Sequence, residues 1–143
     1  MKFGVLAIVC GIVLLATDPA KACSCAFFET IEDHVASADL IFRGQAQKTT
    51  GRSLGGFGSN ATSTTFFVED LLKGDAEESV TINHSKPNGA NCGIGFKKTE
   101  QYNIFAYRAA DGAYHTSICS GTTAAGRPFR WSWDDYRNAV EVQ

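Results

Sequence analysis

The chain has 143 residues, 13 Lys and Arg against 15 Asp and Glu, and 44% hydrophobic residues. That length holds one domain rather than two, and ten phenylalanines with 20% charged residues exclude a disordered tail. The slight acidity excludes nucleic-acid binding through bulk charge and argues against a polybasic membrane patch.

Lys2 opens the chain, and Phe3 to Ala16 is an almost unbroken apolar run, followed by Thr17-Asp18-Pro19 and by Ala20-Lys21-Ala22. A positive start, an apolar stretch and a small-x-small site predict a secretory signal peptide over residues 1–22, cut before Cys23. The apolar run is shorter than the roughly 20 residues that cross a bilayer. The expectation is therefore a secreted chain, periplasmic or extracellular, with no integral membrane segment after processing. A lipoprotein with an acylated Cys23 is the rival, and Lys21 fits that signal poorly.

Phe28, Ile31 and Val35 recur at spacings of three and four and predict a helix over Phe27–Ser37, with Glu29, Glu32 and Asp33 on its wet side. Ala38–Lys48 reads as a strand and Thr49–Ser63 as a polar, Gly-rich loop. Thr64–Leu72 and Ser79–Asn83 are the next strands, with Lys86-Pro87-Asn88-Gly89 a strong turn signal. Gln101–Arg108 is a strand that Asp111-Gly112 turns into another over Ala113–Ile118. Ser120–Gly126 reads as a small-residue linker, and Trp133, Tyr136, Ala139 and Val140 give the tail from Trp131 helical spacing. The order predicts a mainly β fold: a five-stranded OB-like barrel with a short N-terminal helix and a C-terminal helical tail. The barrel domain covers 23–120, and linker and tail cover 121–143.

Without Cys10, which leaves with the signal, Cys23, Cys25, Cys92 and Cys119 remain. An even count in an oxidising compartment predicts two disulfides. Of the three pairings, Cys23 to Cys25 would close a very small ring, and either of the others staples Cys23-Ser24-Cys25 to distant chain. No pair among the cysteines and His34, His84 and His115 has zinc-ligand spacing, so no intrinsic metal or cofactor is expected. A redox-active C-x-C dithiol would leave Cys92 and Cys119 to each other. Gly51, Gly55, Gly56 and Gly58 imitate a phosphate loop, but a strand follows them instead of a helix. Asn60-Ala61-Thr62 and Asn83-His84-Ser85 are glycosylation sequons that carry no weight without a known host. No Ser/His/Asp constellation can be read from spacing, and nothing compels an enzyme.

Cleavage after Ala22 would give Cys23 a free α-amine beside its own carbonyl. Such an amine titrates at about 7.7 to 8.0 and is partly neutral near physiological pH. The neutral nitrogen and the carbonyl oxygen can close a five-membered chelate on a metal. A catalytic zinc keeps one position open for water, and a rigid terminus filling it displaces that water. Bridges at the first and third residues supply the rigidity that keeps the ordering cost low. They would equally serve to tie down a loose end.

Several stretches resemble the netrin-like domain family, and within it the N-terminal domain of tissue inhibitors of metalloproteinases. They are Cys23-Ser24-Cys25, Ser37–Gly44, Phe67–Gly74, Ala90-Asn91-Cys92-Gly93, Tyr102–Ala106 and Ile118-Cys119. The resemblance implies an OB-like barrel with bonds Cys23–Cys92 and Cys25–Cys119. It implies that Cys23 chelates a target protease's zinc, the only metal involved. Ser24 would face the primed-side specificity pocket, with Cys25, Ala26 and Phe27 continuing the contact ridge. Ser24 is small and would fill a deep pocket poorly. Ala36 stands where one cysteine of a further family disulfide is expected, and only the tail Trp131–Gln143 stands where those inhibitors carry a separate C-terminal domain. The expected function is a secreted, monomeric inhibitor of zinc metalloendopeptidases and not an enzyme. The alternative is a netrin-like binding module without inhibitory activity.

Overall fold

The computed structural model describes residues 23–51, 61–88, 91–127 and 129–142. The expected signal segment 1–22, the glycines at 55, 56 and 58, Asn60 and Gly89 lie outside the described residues. The elements are α1 (Ile31–Ser37), β1 (Leu40–Gly51), β2 (Ala61–Lys73), β3 (Ser79–Ser85), β4 (Gln101–Arg108), β5 (Tyr114–His115), β6 (Thr123–Ala124) and α2 (Trp133–Glu141). A 3-10 turn covers Ile118–Ser120. The fold is mainly β, as expected. Strands run β1-β2-β3-β5-β4 and β4 returns to β1, so five strands close a barrel. Neighbours are antiparallel except β3 and β5, and β6 lies along the first half of β4. Among the described residues, no helix is long and apolar enough to cross a membrane.

Closure explains the apolar runs in β1 and β4, which are buried on both faces. Leu40, Phe42 and Ala46 point into the barrel with Phe66, Ile82, Tyr102, Ile104 and Ala106. Their neighbours Ile41 and Phe105 point outward into a second layer with Val35, Ala38, Trp133 and Tyr136. Phe66 meets Phe42 and Phe96 edge-on, with centroids 5.8 and 4.9 Å away. Burying each such ring contributes about 1.5 to 3 kcal/mol. Gly44 belongs to this packing, because a Cβ there would press on the Phe67 carbonyl and the Phe42 ring.

Several boundaries differ from expectation. β1 and β2 extend into the expected loop 49–63, to Gly51 and from Ala61, and β3 runs on to Ser85. The first helix starts at Ile31 rather than Phe27, because the Thr30 hydroxyl caps it by accepting from the Asp33 N–H at 3.1 Å. The strand expected over Ala113–Ile118 is only Tyr114–His115. Beyond it, side chains replace the ladder: the Phe105 N–H donates to Thr122 Oγ1 at 2.9 Å, and Thr116 Oγ1 donates to the Phe105 carbonyl at 2.8 Å. Those backbone groups are satisfied without a neighbouring strand. Ser120–Gly126, expected as a linker, carries β6.

The tail packs on the barrel. A capping box between Ser132 and Asp135 starts α2, and its Trp133 and Tyr136 are buried. Trp133 Nε1 donates to Asp70 Oδ2 at 2.7 Å, Arg137 pairs with the same carboxylate, and the Arg43 guanidinium lies 4.9 Å over the indole. Burial pushes the Asp70 carboxyl up, but hydrogen bonds from Arg137 and Trp133 outweigh it and hold the group below its ordinary range. Asp70→Ala should cost about 2 kcal/mol in urea titration through the lost indole bond alone, the typical weight of a hydrogen bond to a charged acceptor.

Candidate functional site

Residues 23–28 have no regular secondary structure and run into α1. Cys23 bonds Cys92 and Cys25 bonds Cys119, with Cα separations of 5.3 and 5.1 Å. These are the pairs that the resemblance implies. The bridges touch: Cys23 Sγ lies 3.8 Å from Cys119 Sγ, and all four sulfurs fall within 4.8 Å of one another. Between and beyond the anchored cysteines, Ser24 and Ala26 are exposed and Phe27 is 81% exposed. The arrangement is a short ridge fixed at its first and third residues.

Both receiving ends are built by side chains that bond to backbone. Asn91 Oδ1 accepts from the N–H groups of Asn88 and Gly93 at 3.2 and 3.1 Å, and its Nδ2 donates to the Lys86 carbonyl at 2.9 Å. This holds Cys92 against the end of β3. The Ser117 hydroxyl caps the turn that carries Cys119, accepting from its N–H at 3.2 Å. The Ile118 N–H donates to the Cys92 carbonyl at 3.2 Å, joining the two seats. Ile118 is 41% exposed and adds an apolar side chain next to Cys119.

His34 braces the ridge from below. It has no exposure, and its ring lies between Phe28 and Phe105, stacked on each at 4.3 Å. Nε2 lies 2.7 Å from the Ser120 carbonyl and Nδ1 2.7 Å from the Tyr136 hydroxyl. A carbonyl only accepts, so Nε2–H donates to it and Nδ1 accepts from the phenol, the pattern of a neutral ring. One imidazole thus joins α1, α2 and the turn bearing Cys119. Gly121 follows that turn with φ +85°, and a Cβ on it would collide with the His34 ring.

His84 is likewise buried inside the barrel, where Nδ1–H donates to the Ile94 carbonyl and Nε2 accepts from Thr64 Oγ1, both at 2.8 Å. Burial holds both rings below the ordinary histidine pKa of 6.5, against the raising effect of their carbonyl contacts. Unfolded, the two groups take up protons near pH 6.5; folded, they do so only at lower pH. Stability from this source is complete above that value and falls as pH drops, by up to about 2.7 kcal/mol per pH unit for two protons. The urea midpoint should therefore be lower at about pH 5.5 than at pH 8.

Of the expected site residues, the structure brings Cys23, Ser24, Cys25, Ala26 and Phe27 together with Cys92 and Cys119. The three histidines do not cluster. Among the described residues, the four cysteines are the one group of Cys, His, Asp or Glu side chains close enough to share an ion, and they are engaged in the two bridges. What the ridge offers a metal is backbone: a nitrogen and an oxygen on Cys23 if the chain starts there. No protein-family model matches the chain, and no curated protein matches it.

Proposed function

We propose that the chain is a secreted, netrin-like inhibitor of zinc metalloendopeptidases, acting as a monomer through the backbone of Cys23. The amine and carbonyl of the processed terminus chelate the protease's zinc and take the place of its water. Ser24 faces the specificity pocket, and Ala26 and Phe27 extend the contact along the cleft. The chain contributes no catalytic residue and no metal of its own.

One observation carries this reading: the segment is pinned at Cys23 and Cys25 while Ser24, Ala26 and Phe27 stay exposed. Phe27, 81% exposed two residues from a bridge, gives the ridge an apolar side chain that a cleft could take up. Rigid exposed apolar residues are what a cleft binder needs, because little ordering entropy is left to lose.

The test is titration of protein beginning at Cys23 against a panel of zinc proteases, beside a version with one alanine added ahead of Cys23. Extension should weaken inhibition at least about a hundredfold, or about 2.7 kcal/mol, and leave the melting temperature unchanged. Inhibition that survives the extension places the activity on another surface. No inhibition across the panel leaves the chain as a binding module.

A further inference from the structure

A second feature lies outside the ridge. Thr50 on β1 pairs with Ser63 on β2, Ser63 with Asn83 on β3, Asn83 with His115 on β5, and His115 with Tyr107 on β4. Partners in a ladder present side chains on the same face. The row therefore crosses all five barrel strands on one face, a hydroxyl, a hydroxyl, a carboxamide, an imidazole and a phenol in succession. Two contacts confirm the shared face: the Thr50 and Ser63 hydroxyls are 3.0 Å apart, and Tyr107 stacks on His115 at 5.9 Å. In β2 and β3 the flanking residues Thr62, Thr64, Ile82 and His84 are buried, so the row faces outward. All five residues line one cavity of about 570 Å³.

The chemistry of this cavity is narrow. Among the described residues, no lysine, arginine, aspartate or glutamate lines it. His115 Nε2 is out of solvent with no hydrogen-bond partner; the Asp111 carboxylate, 3.8 Å away, is beyond hydrogen-bond reach. Hydroxyl, carboxamide and imidazole groups both donate and accept, which is what vicinal diols require. Tyr107, 46% exposed at the end of the row, offers part of a flat apolar ring. A peptide would add along a free strand edge, whereas this row runs across the strands at about 4.8 Å per step, a span of roughly 19 Å.

We propose that this row is a binding site for a neutral, linear oligosaccharide, in a cavity that shares Asn91, Cys92 and Ser117 with the seats of the bridges. The test is calorimetric titration of protein made in a host that leaves Asn83 unglycosylated, with cello-, chito-, manno- and malto-tetraose as probes. At least one should bind saturably. Tyr107→Ala and Asn83→Ala should each weaken it at least about tenfold, while Glu141→Ala on α2 leaves it unchanged. The substituted side chains face outward, and an unchanged melting temperature shows that each variant is folded. The proposal is overturned if none of the four binds. Binding that ignores both alanine substitutions, or that occurs only with an acidic oligosaccharide, also overturns it.

Discussion

Replacing Cys25 and Cys119 by alanine should lower stability by about 3.5 kcal/mol, less than their 94-residue separation suggests. The chain-entropy model credits a loop of that length with about 4.7 kcal/mol. The surviving Cys23–Cys92 bond shortens the path, because Cys25 reaches Cys119 through it along about 30 residues. The closure entropy that the second bond removes from the unfolded chain is set by that shorter route. The same holds with the roles of the bonds reversed. Removing the remaining bond then costs about 4.5 kcal/mol, so the two losses are unequal in order but not in kind. Urea titration of the two double-alanine variants and of the cysteine-free chain measures all three values. Equal losses at both steps would mean that the unfolded chain does not feel the shared route. On the proposed inhibitory reading, loss of Cys25–Cys119 also frees Phe27, and inhibition weakens even where the variant remains folded.

His34→Ala should cost about 4 kcal/mol, in the range for deleting a buried ring, and it additionally strands the Ser120 carbonyl and the Tyr136 hydroxyl. His34→Phe separates the parts. It keeps the stack between Phe28 and Phe105 but still leaves both polar groups without partners, so about 1 to 3 kcal/mol should be lost. Either variant should also reduce the acid sensitivity below about pH 6.5, since His84 remains as the single buried imidazole. Urea titration at two pH values reads both effects. A stable His34→Phe variant with an unchanged pH slope would remove His34 from its bracing role.

The fold was readable where pattern and closure agree. Gln101–Arg108 has the predicted bounds, and the Trp133, Tyr136, Ala139, Val140 spacing located α2. The continuous apolar run Leu40-Ile41-Phe42 marks a strand, but not that both its faces are covered, nor by what. The covering partner, α2, lies some 90 residues away, and no local period encodes that distance. β5 came out short because Thr116 and Thr122 supply by side chain what a ladder supplies by backbone, a substitution that composition does not reveal. At the site, C-x-C and the small residues around it were visible from the start. His34 stands three residues after Ile31 and beside Val35, on the apolar side of the helix pattern, so its burial is legible in the spacing although its partners are not. Thr30, three residues ahead of Asp33, was an equally visible capping signal. The row from Thr50 to Tyr107 was invisible, because it exists only in the pairing register of five strands.

The arrangement of the bridges dictates a sequence of events during synthesis. Cys23 and Cys25 emerge first and meet their partners only after 69 and 94 further residues have followed. Until then each is a thiol open to any oxidant, and once the chain collapses all four sulfurs crowd into one small volume. Proximity alone does not choose between the right and wrong bonds there; the seats of Cys92 and Cys119 do, and they exist only after β3 and β5 are in place. Oxidation ahead of barrel closure therefore yields scrambled isomers. A cell producing this chain needs a disulfide-shuffling catalyst, or an oxidant slow enough to wait for the strands.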